Sequence, residues 1–142
     1  MSHLSLKIVT PERLVYEAQV DSVTVMTTAG EVTILPGHIS LVAPLRAGEM
    51  RLKMGNEEEF LAVSTGFLEV RDGKSVTVLA DTAERLEELE LEKIEEAKQR
   101  AEAMLKEKKF ADDRAFADAA AHLERELARH KVAMRKKRSH HS

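Results

Sequence analysis

The chain of 142 residues has no cysteine, which excludes disulfides and thiolate metal sites from its chemistry. No apolar run approaches the ~20 residues a helix needs to cross a bilayer. Nothing resembles a signal peptide, so a role at a membrane would require another subunit to take the protein there. A net charge of −3 gives no reason to expect nucleic acid as a partner. The basic run Arg135-Lys136-Lys137-Arg138 is a local exception, and it reads first as a solvated tail after a helix. Catalytic groupings are missing too: there is no paired acid and base, no phosphate loop and no hydrolase elbow. His140 and His141 lack a third metal ligand, and His122 and His130 are too far apart to chelate as an i, i+4 pair.

Glycine and proline are also absent from Asp81 to Arg138, and that absence divides the chain. Before it, short alternating runs recur between turn signals. Leu4, Leu6 and Ile8 share one face of a strand. Thr10-Pro11-Glu12 turns, Val15 and Tyr16 resume extended structure, and Asp21 to Met26 is rich in β-branched residues. Gly30 to Met54 alternates, breaks at Pro36-Gly37 and again at Pro44, and exposes Glu31 and His38 in what reads as a docking loop. Gly55-Asn56 and Asp72-Gly73 are hairpin turns around Phe60–Val63, Phe67–Val70 and Val76–Leu79. Residues 1–82 therefore predict an all-β, antiparallel sandwich or flattened barrel.

Residues 83–142 predict an antiparallel two-helix hairpin with a basic tail, which makes the whole chain α+β in two parts. Asp81 or Thr82 is positioned to cap the first helix, with Glu84 in its first turn. Its apolar stripe is Leu86, Leu89, Ile94, Ala97, Ala101, Met104 and Leu105. The second helix starts at Asp112 or Asp113, with a seam of Phe116, Ala119, Leu123, Leu127, His130 and Met134. Lys109-Phe110-Ala111-Asp112 forms a connection short enough to force the hairpin. Alanine methyls gain far less on burial than the ~1.5–3 kcal/mol of a leucine or phenylalanine. The hairpin must therefore lean on the β domain or on another protein.

The run from Gly30 through Pro36-Gly37-His38, Leu41 and Leu45 to Gly48 closely resembles the signature of the epsilon subunit of bacterial F-type ATP synthases. So does Gly66-Phe67-Leu68-Glu69-Val70 followed by Val76-Thr77-Val78-Leu79-Ala80-Asp81. The resemblance covers essentially the whole chain. It implies a non-catalytic rotor subunit, held by the gamma subunit and resting on the ring of c subunits, that couples proton-driven rotation to ATP synthesis. It places the protein at the cytoplasmic face of the bacterial cell membrane as a peripheral part of the complex. Glu31, Pro36, Gly37 and His38 would then lie at the gamma or ring contact, with a hydrogen bond from His38 to its own loop as the alternative. The hairpin would restrain ATP hydrolysis when extended towards the alpha and beta catalytic subunits, with Arg125, Arg129, Lys131, Arg135, Lys136 and Lys137 meeting their acidic surfaces.

Some family members bind ATP as a regulatory ligand, through a motif that corresponds here to Leu89-Glu90-Leu91-Glu92-Lys93-Ile94. Glutamate stands for aspartate, lysine for arginine and isoleucine for alanine; a lysine point charge cannot reproduce the arginine fork. Arg100, Arg125 and Arg129 match basic positions of the ATP binders, and Glu84 joins them as a candidate residue of that site. An ordinary helix seam is the stronger reading of Leu89 to Ile94, and no other cofactor is implied. A free-standing nucleotide-responsive binding module is the alternative function.

Overall fold

The computed structural model describes residues 3–107 and 112–139, with side chains through Arg135. The Lys109-Phe110-Ala111 connection, His140, His141 and the side chains of Lys136 and Lys137 lie outside the described residues.

Ten strands form one sheet folded into a nearly closed sandwich: β1 (Leu4–Val9), β2 (Leu14–Val20), β3 (Ser22–Thr27), β4 (Gly30–Ile34), β5 (Leu41–Leu45), β6 (Gly48–Met54), β7 (Glu57–Val63), β8 (Gly66–Arg71), β9 (Ser75–Ala80) and β10 (Ala83–Arg85). Their order is β10-β7-β6-β3-β5-β8-β9-β1-β2, with β4 paired on β3. Alternation drives the inward faces together: Leu4, Leu6, Ile8, Val23, Ile34, Leu52, Leu61, Leu68, Val76 and Val78 are all essentially inaccessible. Each such residue contributes about 1.5–3 kcal/mol of burial, and this core stabilises the platform on which the exposed surfaces sit.

Three expectations are corrected. The sheet is not wholly antiparallel, because β1 and β9 pair in parallel from Ser5↔Ser75 to Val9↔Leu79. No tight turn joins these strands, so nothing local dictates their direction; a parallel pair needs a long connection, and here most of the sandwich supplies it. Secondly, no helix begins after Asp81 or Thr82. Ser64 and Thr82 exchange bonds (Ser64 N–H to Thr82 O, 3.0 Å; Thr82 N–H to Ser64 Oγ, 2.7 Å) that carry the chain into β10 against β7. The Asp81 carboxylate accepts from Thr65 Oγ1 at 3.1 Å instead of capping a helix. A 3-10 turn at Leu86–Glu88 follows, and α1 runs Leu91–Glu107.

The third correction concerns helix phase. Asp112 caps α2 (Asp113–Ser139), its Oδ1 accepting the Ala115 N–H at 2.8 Å. Yet Phe116 and Leu127 of the expected seam are exposed, while Glu126, Ala128, Val132 and Ala133 are buried. Helix α2 packs on α1 and on β6 and β7 at once, so its buried arc is wider than one heptad seam and rotated from it. Small residues let it approach the sheet. Ile94, Val132, Ala133, Leu89 and Ala62 form the resulting joint, flanked by Phe60, Leu86 and Leu91. Glu95 lies 3.5 Å from His130, so the start of α1 meets the far half of α2, as an antiparallel pair requires.

Asp21 ties the β2–β3 junction to the β6–β7 turn, accepting the Gly55 N–H at 2.7 Å and facing His3 Nδ1 at 2.9 Å. The Gly55 hydrogen bond, then His3, hold its carboxyl below the ordinary value. A carboxyl with a lowered folded pKa stabilises the fold above its unfolded pKa of ~3.9, and the contribution is lost as pH falls through the folded value. Asp21→Asn is therefore expected to flatten the acid limb of a urea-midpoint against pH profile below about pH 4. A limb as steep as the parent's would remove Asp21 from the account of acid unfolding.

Candidate functional site

Three surfaces stand out, and each follows from how the strands end or alternate. The first is the loop between β4 and β5. Gly37 (φ +89) completes a turn closed by the His38 N–H to Leu35 O at 3.1 Å. The Gly37 N–H donates to Gly73 O at 2.8 Å, and Ser40 Oγ accepts the Asp72 N–H at 3.1 Å. The Pro36-Gly37 turn is thus fastened to the β8–β9 turn. Leu35 and Ile39 project from it, 56% and 78% exposed. His38 Nδ1 bonds Ile39 O at 2.8 Å, within its own loop. Glu31 is exposed on β4 and pairs with Arg51 of β6 across β3. Exposed pairs of this kind contribute ~0–1 kcal/mol, so Glu31 remains available to another cation.

The second surface is the outer face of β5, β8, β9 and β1. Register places Pro44 opposite Phe67, Phe67 opposite Leu79, and Leu79 opposite Val9. These neighbours form an apolar row across four strands, with Val42 two residues from Pro44 on the same face. Phe67 is 56% and Val42 68% exposed. A shallow cleft of about 370 Å³ runs beside the row, lined by Val9, Pro11, Phe67 and Leu79 among others. Scattered exposed apolar residues are ordinary, but a contiguous row marks a surface that another molecule covers. Residue-type reading missed this row. The signal was present in the alternation: if Leu68 and Val70 face the core, Phe67 cannot. Pro44, expected to break the chain, lies within β5 at this face.

The third surface is the joint between α2 and the sandwich. Arg129 Nη2 donates to Glu84 Oε2 at 3.1 Å, and its Nη1 reaches both oxygens of Glu126 at 3.1 and 2.9 Å. Burial works against the Arg129 charge, but bonds and attraction from Glu84 and Glu126 outweigh it and raise the guanidinium pKa above its ordinary value. Arg135 forms a bidentate pair with Glu49 of β6, its Nη2 to Oε1 distance being 2.8 Å. Its guanidinium carbon lies 4.2 Å from the Phe60 ring centroid, a cation–π geometry. The Glu49 bonds, partly opposed by burial, hold Arg135 above its ordinary pKa as well. The Glu49 side chain is only 6% exposed, and nothing in the local sequence identifies it as the partner of a residue 86 positions away.

The residues of the ATP-like motif are not gathered at one point. Glu84 and Arg129 meet, but Glu90 and Lys93 pair with each other at the helix surface at 3.0 Å, both well exposed. Leu89 is buried in the joint, and Arg100 is exposed. Arg125 Nη2 lies 2.6 Å from His122 Nδ1; a guanidinium only donates, so that ring nitrogen is the acceptor. A phosphate at Arg129 would have to displace the buried Glu126 carboxylate. Lys131 is exposed and lines a cleft with Glu124, Leu127 and Glu49.

Comparison with known proteins bears on these surfaces. A family model described as "ATP synthase, Delta/Epsilon chain, beta-sandwich domain" matches residues 3–86. An ATP synthase epsilon chain of Dehalococcoides mccartyi is 46% identical over 140 residues, covering 99% of this chain and 98% of that one. One from Anoxybacillus flavithermus is 48% identical over 108 residues, 76% of this chain and 80% of its own. Among solved structures, a chain of the Euglena gracilis mitochondrial ATP synthase (OSCP/F1/c-ring) superposes with a TM-score of 0.73 at 25% identity, covering 87% of this chain and 77% of that one. A chain of the Tetrahymena thermophila mitochondrial ATP synthase central stalk/c-ring structure shares the fold alone, with a TM-score of 0.62 at 13% identity over 92% of this chain and 96% of that one. A sandwich matched by the family model and relatives spanning both parts of the molecule lead to one conclusion: the chain belongs to the ATP synthase epsilon chain family.

Proposed function

We propose that this chain is a rotor subunit of the central stalk that couples rotation of the ring of c subunits to ATP synthesis and carries no catalysis of its own. The apolar row Pro44–Phe67–Leu79–Val9 carries this reading, because it gives the sandwich a face suited to permanent cover by the gamma subunit. The loop from Glu31 to His38 meets the polar loops of the ring. Among the described residues no helix is long and apolar enough to cross a membrane, and the chain sits at the cytoplasmic face of the bacterial membrane through these contacts. In this reading the hairpin docked on β6 and β7 leaves hydrolysis unrestrained. Released, it presents Arg125, Arg129, Lys131 and Arg135 to acidic surfaces of the alpha and beta subunits.

The test is reconstitution. Added to membranes whose ATP synthase has been stripped of this subunit, the chain is expected to co-purify with gamma and the ring and to restore proton-driven ATP synthesis. A chain that stays free and monomeric while binding a nucleotide saturably would replace this reading with that of a free-standing nucleotide-responsive module.

A further inference from the structure

We infer that the Asp72-Gly73 turn is a splint that fixes the Pro36-Gly37 loop, so that Leu35 and Ile39 are presented to a protein partner in a preset frame. The inference rests on the proposed contact between this loop and the ring, and it names what makes the contact efficient.

Gly73 is buried although it belongs to a turn, and its φ of +64 follows an Asp72 φ of 54. A Cβ at residue 73 would lie 2.7 Å from Gly37 Cα and 3.0 Å from its N and C atoms. The obstruction is backbone, not the end of a flexible side chain, so one turn would have to move away from the other. Two hydrogen bonds cross the same junction, Gly37 N–H to Gly73 O and Asp72 N–H to Ser40 Oγ. The splint is itself anchored, since Lys74 O accepts the Ser5 N–H of β1 at 2.7 Å.

Among the described residues Ile39 is the most exposed of the large apolar side chains, and Leu35 is more than half exposed. Holding both in water gains nothing for the isolated fold. It gains affinity for a partner, because a loop already ordered does not charge its ordering entropy against binding. Glu31, by contrast, offers a partner only an exposed ion pair, worth ~0–1 kcal/mol. The adhesive part of the contact is therefore the apolar tip.

The experiment uses the full chain in the reconstituted complex, with three variants. Gly73→Ala separates the two turns, and Ser40→Ala removes only the side-chain tie and cannot unfold the sandwich. Both are expected to speed hydrogen exchange at the Gly37 amide. Affinity for stalk-and-ring complexes should fall about tenfold for Gly73→Ala and about threefold for Ser40→Ala, with the remaining core amides exchanging as in the parent. A merely structural role would slow nothing in binding once the protein is folded. The double substitution Leu35→Ser, Ile39→Ser reads the contact itself. If it binds like the parent, the loop is not the contact and the proposed reading of this surface fails. If it binds weakly while the splint variants loosen the loop yet bind like the parent, the splint inference alone is overturned. Unchanged exchange at Gly37 in Ser40→Ala and Gly73→Ala overturns it as well. Should Gly73→Ala not fold, Ser40→Ala decides.

Discussion

Phe67→Asp is expected to leave the sandwich folded and to prevent its incorporation into the enzyme. Phe67 lies at the centre of the row formed with Pro44, Leu79 and Val9, and its ring is over half exposed in the isolated chain. A partner that covers it removes apolar area worth about 1.5–3 kcal/mol for one phenylalanine. An aspartate there loses that gain and must also be desolvated without a counter-charge. A loss of about 2.8 kcal/mol is a hundredfold in affinity, and the two terms together reach it. Proton-driven ATP synthesis in reconstituted membranes should fall in step with binding. The fold should be little affected, since the side chain points out of the sheet and substitutions at such positions change stability by about 0.5 kcal/mol or less. Asn56→Asp in the β6–β7 turn, exposed and outside the apolar row, the Glu31–His38 loop and the α2 joint, serves as the control. Wild-type assembly by Phe67→Asp would show that the row is not the face the stalk covers.

Glu49→Gln is expected to free the hairpin. The Glu49 carboxylate is nearly inaccessible because Arg135 covers it, while Arg135 keeps about a third of its side-chain surface in water. Removing one partner of such a pair leaves the other without compensation. With Arg135 partly solvated, a cost of about 1–2 kcal/mol is reasonable, which shifts the docked-to-released ratio roughly 5–30-fold. The apolar joint is small and rich in alanine, so it does not absorb a change of that size. The chain contains no cysteine, so two introduced thiols give a clean dye pair between α2 and β6. Energy transfer should fall in Glu49→Gln, and ATP hydrolysis by the reconstituted enzyme should be more strongly restrained than with the parent. Arg135→Lys should release the hairpin too, because lysine lacks both the bidentate fork and the stacking on Phe60. A dye distance unchanged by either substitution would exclude this clamp as the holder of the docked state.

How much of this was legible in the sequence depends on the range of the interaction that decides each feature. Strands β1, β3 and β9 announce themselves because alternation is local and one face is fully buried. The parallel direction of β1 against β9 is not written in either strand. Strand β10 is hidden because Ala83-Glu84-Arg85 has no β-branched residue and sits at the head of a helix-like composition; Ser64, a long way back, recruits it to the sheet. The turn of α2 about its axis was misread because a heptad seam assumes one partner, and α2 has two. For the candidate surfaces, the exposure of Glu31 and the turn at Pro36-Gly37-His38 were legible because turn chemistry is short-range. His38 bonds its own loop through Nδ1. Glu49 and Phe60 could not be found, because only the docking of α2 gives them a role.

The parallel pairing of β1 with β9 sets an order of events on the ribosome. Strand β1 can meet β2 as soon as both emerge, but its other neighbour is about seventy residues further along the message. Until β9 is synthesised, that hairpin has an open hydrogen-bonding edge, the kind of template that invites pairing with other chains. Joining the β1–β2 hairpin to the rest of the sheet must wait for β9, a non-local pairing of the kind that slows folding. The helices leave the ribosome after β9 does, so every strand they pack on has been made before them. The hairpin therefore docks on a body that has its own core, and a change at the α2 joint is expected to move the hairpin without altering whether the sandwich forms.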